Sequence, residues 1–460
     1  METTSLIQEP QKKQKLNEEE DIDGNNKCLS NLPEEVLLHI LSFLPTKDAV
    51  RTSVLSKRWE YMWVSIPNLV FERSLRPKRT LLMNFVDRAL CLRDSDIKRF
   101  ILSCDVLSDA SRVNTWISAV VRHNVQELYI ELENFKGDFS LPYCLFTCKT
   151  LTSLHLNMWY MILKLPPTIC FSNLKILIIE SVTFSNERLT QQLFSGLPVL
   201  EELQLHECKW GGLKTVSISA PKLRSLSIHE IEMQNWSYGD GRQVMIFGES
   251  LQEFYYDGFL HRDYCLYNSF SLEVSEIHVI DDDETPRQMA YHVYKLLIGL
   301  SNVKFLTLNC GMVEGLKSSA ELLPHIPIFN NLISLTLDWC PVDLDCVATL
   351  KILQNSPCLK ILKFLEGIWL WLDCGKDDWI PEPVPQCFLS HIKCIEVGSY
   401  DGDKKELPAI KILLKNAVVL DEIIISCSEH FAGNLEKQEN FYKQLIEFPK
   451  GSQNCKIVLK

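Results

Sequence analysis

Residues 32–45 read LPEEVLLHILSFLP, and their apolar positions are too many for one narrow stripe. At about 100° per residue, Phe43, Val36, Ile40, Leu44, Leu37, Leu41 and Leu38 sweep roughly 220° of a helix circumference, leaving Glu35, His39 and Ser42 the rest. A helix docked only on its own domain needs a stripe of about 100° or a little more. This helix is therefore either deeply buried or covered by something else. Pro33 fits the first turn, where its missing N–H has no partner, Glu34 and Glu35 complement the positive helix end, and Pro45 stops the helix. Thr46 and Ser56 are placed to cap two further short helices, KDAVRTSVL and KRWEYMW. Three helices in about forty residues make a core below the size that usually stands without staples or partners.

A second pattern starts after the charged stretch FERSLRPKRTLLMNFVDRALCLRD, which reads as a linking helix. Strings of the form L-x-x-L-x-L recur: IKRFIL from Ile97, VQELYI from Val125, LTSLHL from Leu151, LKILII from Leu174, LEELQL from Leu200, LRSLSI from Leu223 and LQEFYY from Leu251. VSEIHV from Val274, VKFLTL from Val303, LISLTL from Leu332, LKILKF from Leu359, IKCIEV from Ile392 and LDEIII from Leu420 continue the series. Starts are spaced by about 23 to 33 residues, against roughly 20 to 29 for leucine-rich repeats. One such string is weak, since any half-buried strand yields it; thirteen in succession are strong. Each unit then supplies a strand and a return segment, and stacking completes a core that no unit makes alone. Cys208 and Cys340 fall where such repeats place Asn or Cys, so both thiols read as structural.

Composition narrows the classes. A length of 460 residues exceeds what a single core supports, so two to four domains or one elongated array are expected. A net charge of -12 argues against broad affinity for nucleic acid or for anionic membranes. No apolar run approaches the ~18 residues that span a bilayer, and the amino terminus lacks a secretory h-region. We therefore expect an intracellular protein, cytoplasmic and/or nuclear, with KKQK at 12–15 as a weak nuclear signal. In a reducing compartment the seventeen cysteines should be free thiols, many of them buried, and the sequon at Asn235 has no meaning. Residues 1–27 are too polar to offset their ordering entropy and read as a disordered tail.

The stretch LPEEVLLHILSFLPTKDAVRTSVLSKRWEYMW resembles an F-box, with its Leu-Pro start, apolar first helix, short second helix and LSKRW leading into a Trp-bearing third. The resemblance implies docking on the Skp adaptor of a cullin-RING ubiquitin ligase. Carried over by position, Leu32, Pro33, Val36, Ile40, Leu41, Leu44, Val50, Leu55 and Trp59 are the expected adaptor-binding residues, some of them packing the interior of the bundle instead. Residues 379–426 resemble the FBD segment of plant F-box proteins: a Trp, then Pro-x-x-Val-Pro-x-Cys-Phe-Leu, an acidic break, a helix ending in LLKNA and a closing strand. The expected fold is thus α/β: a disordered tail (1–27), a three-helix F-box (28–75), a linking helix covering the first repeat (76–96), a curved leucine-rich-repeat solenoid (97–378) and an FBD cap (379–460). In that cap Pro408 should open a helix whose Ile410, Leu413, Leu414 and Ala417 face inward.

Catalytic chemistry is not legible. There is no G-x-S-x-G elbow, phosphate loop or G-x-G-x-x-G, and no C-x-x-C to seed a zinc site. The His-Glu pairs at His206 and His229 lack a second His four residues on, and DDDE at 281–284 lacks the alternation and glycine of a calcium loop. We expect a non-catalytic adaptor without cofactor or metal. Its repeats should bind a protein substrate for ubiquitination through outward strand residues: Glu202, Gln204, His206, Ser225, Ser227, His229, Glu253, Tyr255, Asp257, Glu276 and His278. That acidic, His- and Tyr-bearing face suits a basic or polar segment. A scaffold or inhibitor uncoupled from any ligase is the alternative. A small-molecule coreceptor ranks last, because the Arg and Lys cluster that phosphates require is missing.

Overall fold

The computed structural model describes residues 32–72, 79–230, 242–280, 286–370, 383–433 and 435–460. The polar tail with its basic cluster, the Asn235 sequon, the acidic run at 281–284 and the first residues of the FBD-like stretch lie outside them. The chain divides into two compact units, residues 1–66 and 67–460.

In the first unit, α1 (Glu34–Ser42) and α2 (Thr46–Arg51) form as expected. Pro33 and Pro45 sit at their N-cap positions, and the Pro33 carbonyl accepts from the N–H groups of Val36 and Leu37, both at 3.1 Å. Thr46 is therefore the first helical residue of α2 and not its cap. The expected third helix does not form. Residues 57–61 make turns, Met62–Ser65 is a single 3-10 turn, and the Ser56 hydroxyl caps nothing, having no partner. With Trp59, Tyr61, Met62 and Trp63 crowded together, aromatic bulk outweighs helix propensity in this stretch.

The second unit is built on one sheet that, among the described residues, contains fifteen strands, all parallel. It begins with β1 (Asn68–Phe71), β2 (Arg99–Leu107), β3 (Glu127–Phe135), β4 (Ser153–Ile162), β5 (Ile176–Thr183) and β6 (Glu202–His206). The next strands in the chain are β7 (Thr215–Ile218), β8 (Ser225–Glu230), β9 (Gln243–Phe247), β10 (Glu253–Gly258), β11 (Asp263–Tyr267) and β12 (Val274–Val279). They are followed by β13 (Phe305–Asn309), β14 (Ser334–Asp338), β15 (Val342–Asp343), β16 (Ile361–Phe364), β17 (Ile368–Trp369), β18 (Cys394–Tyr400), β19 (Glu422–Cys427) and β20 (Lys456–Leu459). The main sheet runs β1 to β6, then β8, β10, β12, β13, β14, β16, β18, β19 and β20. Each of the thirteen repeat strings lies on its own strand, β2 through β19, and β1 and β20 extend the array by one strand at either edge.

Return segments carry α3 (Arg79–Cys91), α4 (Ala110–Arg122), α5 (Glu187–Ser195), α6 (Pro286–Gly299), α7 (Cys310–Lys317), α8 (Val347–Gln354), α9 (Gln386–Ser390), α10 (Glu406–Asn416), α11 (Glu429–Ala432) and α12 (Leu435–Glu447). Between β6 and β12 the returns are strands instead: β7, β9 and β11 pair in parallel as a second sheet. Alternating buried Val216 and Ile218, Val244 and Ile246, and Tyr264 and Leu266 explain the switch, since such side chains favour a pleated surface. The linking segment forms α3 and packs beside α4 through Arg112 to Asp87 and Trp116 Nε1 to Asp87 (2.6 Å), while β1 supplies the first edge. The FBD-like stretch continues the same sheet through β18 and β19. Pro408 is the third residue of α10, and Ile410, Leu413, Leu414 and Ala417 are at most 1% exposed.

Two interior features were not legible. Val274 points outward and Ser275 takes the leucine position opposite Phe254, donating its hydroxyl to the Phe254 carbonyl at 2.9 Å. Leu272 therefore starts that repeat, two residues before the string VSEIHV. At the end of β13, Asn309 bridges repeats: its Oδ1 accepts from Val279 N–H (3.0 Å) and Met312 N–H (3.2 Å), and its Nδ2 donates to the Val279 carbonyl (2.7 Å). Cys208 does similar work, its thiol lying 3.4 Å from the Ile179 carbonyl, and burial pushes its pKa up. The expectation of free thiols holds for thirteen described cysteines but not for Cys310 and Cys340, which form a disulfide. They end adjacent strands, so stacking places them side by side. Replacing Asn309 with Leu should leave the Val279 backbone unpaired at about 1–3 kcal/mol per orphaned group, read as a lower urea midpoint.

Candidate functional site

The two surfaces expected to bind proteins are built differently. On α1, Leu37 and Leu41 are fully buried and Leu38 is half-buried, whereas Val36 (41%), Ile40 (37%), Phe43 (74%) and Leu44 (36%) are exposed. At 100° per residue Val36 and Ile40 share one side of α1, and the turn after Ser42 extends that apolar stretch through Phe43 and Leu44. It carries no charge. Val54 (87%), Leu55 (63%) and Tyr61 (64%) are exposed downstream, and exposed apolar clusters of this kind mark interaction sites. Of the expected adaptor-binding residues, Leu41 and Trp59 are therefore interior, Leu32 and Val50 are half-buried, and Pro33, Val36, Ile40, Leu44 and Leu55 reach solvent. Phe43, Val54 and Tyr61 were missed because the motif was read by position; the width of the apolar arc already signalled Phe43.

On the sheet, all eleven expected substrate-facing residues point outward and are half-buried, wedged between the equivalent side chains of neighbouring strands. The register arranges them in rows. One runs Glu131, Asn157, Glu180, His206, His229, Asp257 and His278 across β3 to β12; the row beside it runs Tyr129, His155, Ile178, Gln204, Ser227, Tyr255 and Glu276. His155 Nε2 meets Glu180 at 3.1 Å, His229 Nδ1 meets Asp257 at 2.8 Å, and the His206 and His229 rings are 6.1 Å apart. The other Asp257 oxygen, Oδ1, has no hydrogen-bond partner. His278 meets Glu276 at 3.3 Å and the exposed Trp339 ring at 5.1 Å. Tyr129, His155, Glu131 and Glu180 were missed, although the same alternation applied to the earlier strings would have found them.

From β3 to β12 the charge on this face has one sign, while at its edge Arg99 on β2 meets Glu127 at 3.7 Å. Glu127, Glu131, Glu133, Glu180, Glu202, Glu253, Asp257 and Glu276 all point outward, and the strands of the main sheet from β3 to β12 contain no Lys or Arg. At the end of β4 a bulge puts Trp159 (φ 45) and Tyr160 (φ 64) in the left-handed region. Bulky residues occupy that region at a cost. Asn157 Oδ1 accepts from the Trp159 N–H (3.2 Å), Tyr160 bonds Glu207, Lys209 Nζ sits 4.3 Å from the Tyr160 ring centroid, and Trp159 is left 54% exposed.

Three family models match: the F-box domain at residues 29–71, the LRR repeats of the FBD-associated F-box protein At5g56370 at 113–242, and FBD at 380–425. The F-box protein At3g59000 of Arabidopsis thaliana is 30% identical over 446 residues, covering 89% of this chain and 88% of that protein. The chain belongs to the F-box/FBD/LRR-repeat family. The F-box/LRR-repeat protein At4g14103 of the same plant is 33% identical, covering 75% of this chain and 93% of its own. The F-box/FBD/LRR-repeat protein At5g56420, also from Arabidopsis thaliana, is 29% identical across 94% and 98% respectively. For this F-box/FBD/LRR-repeat chain, the exposed apolar sector falls inside the F-box match, and the row from Glu131 to His229 falls inside the LRR match. No catalytic family is indicated, and no helix among the described residues is long and apolar enough to cross a membrane.

One titration is predictable on this face. Burial, then the neighbouring His229 and His155, hold the His206 imidazole below its ordinary 6.5, against an upward pull from Glu180 and Glu207. The unfolded chain therefore takes up a proton first as pH falls, so His206 costs stability progressively below pH 6.5. His206→Gln should flatten the decline in urea midpoint between about pH 7.5 and about pH 5.5; an unchanged slope would contradict this.

Proposed function

We propose that this F-box/FBD/LRR-repeat protein is the substrate-recognition subunit of a Skp–cullin–F-box ubiquitin ligase. The F-box, residues 28–75, docks on a Skp-type adaptor and through it on a cullin-RING core. The repeats, residues 97–378, hold a protein substrate on the outward face, with the FBD stretch, 379–460, continuing the sheet. The observation that carries this reading is the uncharged exposed sector of Val36, Ile40, Phe43 and Leu44. Fully burying such side chains is worth about 1.5–3 kcal/mol each, and a partner supplies what the small unit lacks. Leu41 and Trp59 act from within by holding that sector in place.

No catalytic residue is required of this subunit. Holding substrate beside a loaded conjugating enzyme converts a bimolecular encounter into an effectively intramolecular one. The substrate we propose is a protein with a cationic segment, matched to the outward carboxylates, with neither nucleic acid nor membrane as partner. Such a subunit works in the cytoplasm, the nucleus or both.

Co-expression with a Skp adaptor tests the docking half. The expected result is a stable 1:1 complex, weakened by Leu32→Ala/Pro33→Ala and reduced at least ~100-fold in affinity by Val36→Asp/Ile40→Asp/Leu44→Asp. A chain that folds and ignores the adaptor sinks the ligase reading and leaves a protein-binding scaffold. The substrate half is tested by Glu202→Lys/Glu253→Lys/Asp257→Lys. Capture of proteins by this variant while proteasomal turnover is blocked should be lost; unchanged capture removes the sheet face as the site.

A further inference from the structure

A cluster of sulfur atoms lies at the ends of β13 and β14 in the second unit. Cys310 is the first residue of α7, Cys340 follows β14, and their sulfurs are joined across neighbouring repeats with the Cα atoms 6.0 Å apart. Cys346, at the N-cap position of α8, is a free thiol and only 5% exposed. All three line one cavity of about 30 Å³, together with Lys317, Asp343 and Thr349. By the ~10–15 Å³ that a single water-sized occupant needs, there is room for a small polar molecule, and one side is open to solvent. Thr349 is 1% exposed and its Oγ1 has no hydrogen-bond partner. A buried hydroxyl left unpaired is unfavourable, so the cavity is suited to a small polar occupant.

We propose that this cavity is a hydroperoxide-reactive thiol site, in which Cys310 is the attacking thiol, Cys340 the resolving thiol and Thr349 the group that orients the peroxide. Cys310 starts an eight-residue helix, whose positive end favours its thiolate. The Cys310 thiolate attacks one oxygen of hydrogen peroxide, forming an S–O bond as the O–O bond breaks. The departing hydroxide, held by the Thr349 hydroxyl, takes up the proton that Cys310 released and leaves as water. The Cys340 thiol then attacks the sulfenic sulfur; the S–S bond forms and a second water leaves. Two thiols are oxidised to one disulfide and one peroxide is reduced to two waters. A low-molecular-weight thiol of the glutathione class restores the dithiol. The linked state ties the repeat ending in β13 to the repeat ending in β14.

The test uses the full chain, reduced and freed of reductant, exposed to hydrogen peroxide and quenched with a thiol-alkylating reagent, with each cysteine followed by mass spectrometry. Cys310 and Cys340 should lose alkylation together as one cross-linked peptide, at least about tenfold faster than the exposed thiol of Cys91, and glutathione should reverse the change. Thr349→Val should slow that loss severalfold while leaving alkylation of Cys310 without peroxide unchanged. In Cys340→Ser/Cys346→Ser, which removes both thiols able to resolve it, Cys310 should stop at a sulfenic acid that a carbon nucleophile traps. Oxidation of Cys310 no faster than that of Cys91 in the unaltered chain overturns the proposal, as does an unchanged rate in a folded Thr349→Val protein.

Discussion

The repeat body depends on lateral stacking in register. A strand such as β6 turns Leu203 and Leu205 inward, where Leu177 and Ile179 on one neighbour and Leu226 and Ile228 on the other flank them. Each pair is at most 2% exposed because its neighbours exist. A shift of one residue would turn the whole leucine set outward, so register is strongly specified. The same constraint creates the surface: equivalent outward residues on successive strands fall into line, which is how Glu180, His206, His229 and Asp257, far apart in sequence, form one row. Where a return segment must cross close to the interior, small or polar groups take over. The Asn309 amide fills that role after β13, and at Gly311 a Cβ would stand 2.3 Å from the Val279 carbonyl oxygen.

Much of this was legible because leucine spacing is a direct record of burial. The thirteen strings found thirteen strands, and the alternation gave the correct facing of Glu202 through His278 even where the repeat start was misplaced, since a shift of two residues preserves the face. The strands β7, β9 and β11 were not legible as a second sheet: each is four or five residues long and lacks a repeated motif, and only their stacking against one another selects extended backbone. Ser275 in a leucine position was hidden because its hydroxyl is satisfied by a carbonyl on a neighbouring strand. The Cys310–Cys340 pair was hidden for the same reason, since thirty residues of chain separate groups that adjacent repeats bring together. In the F-box the helix periodicity was right and the third helix was not, because it rested on Ser56 as a cap and that hydroxyl caps nothing.

The two proposed binding surfaces rest on opposite physics. On α1 the exposed sector is apolar, and its driving force is the removal of Val36, Ile40, Phe43 and Leu44 from water. Such a surface is non-directional, and its specificity comes from shape and from the width of the arc. On the sheet the outward rows are polar and acidic, so that they discriminate partners by charge and hydrogen bonding and steer encounter more than they supply affinity. Under the proposed function, a subunit held in a ligase while it accepts and releases substrates would be served by that division.

The central claim is that the apolar sector of α1 is sheltered by a foreign subunit, and its most direct measurement is the heat capacity change on binding a Skp adaptor, from calorimetric titrations at several temperatures. Burial of apolar surface gives a negative change. Docking through this sector should give a saturable 1:1 heat whose enthalpy grows steadily more negative with temperature. Binding with a temperature-independent enthalpy, or no binding by a folded chain, would contradict it.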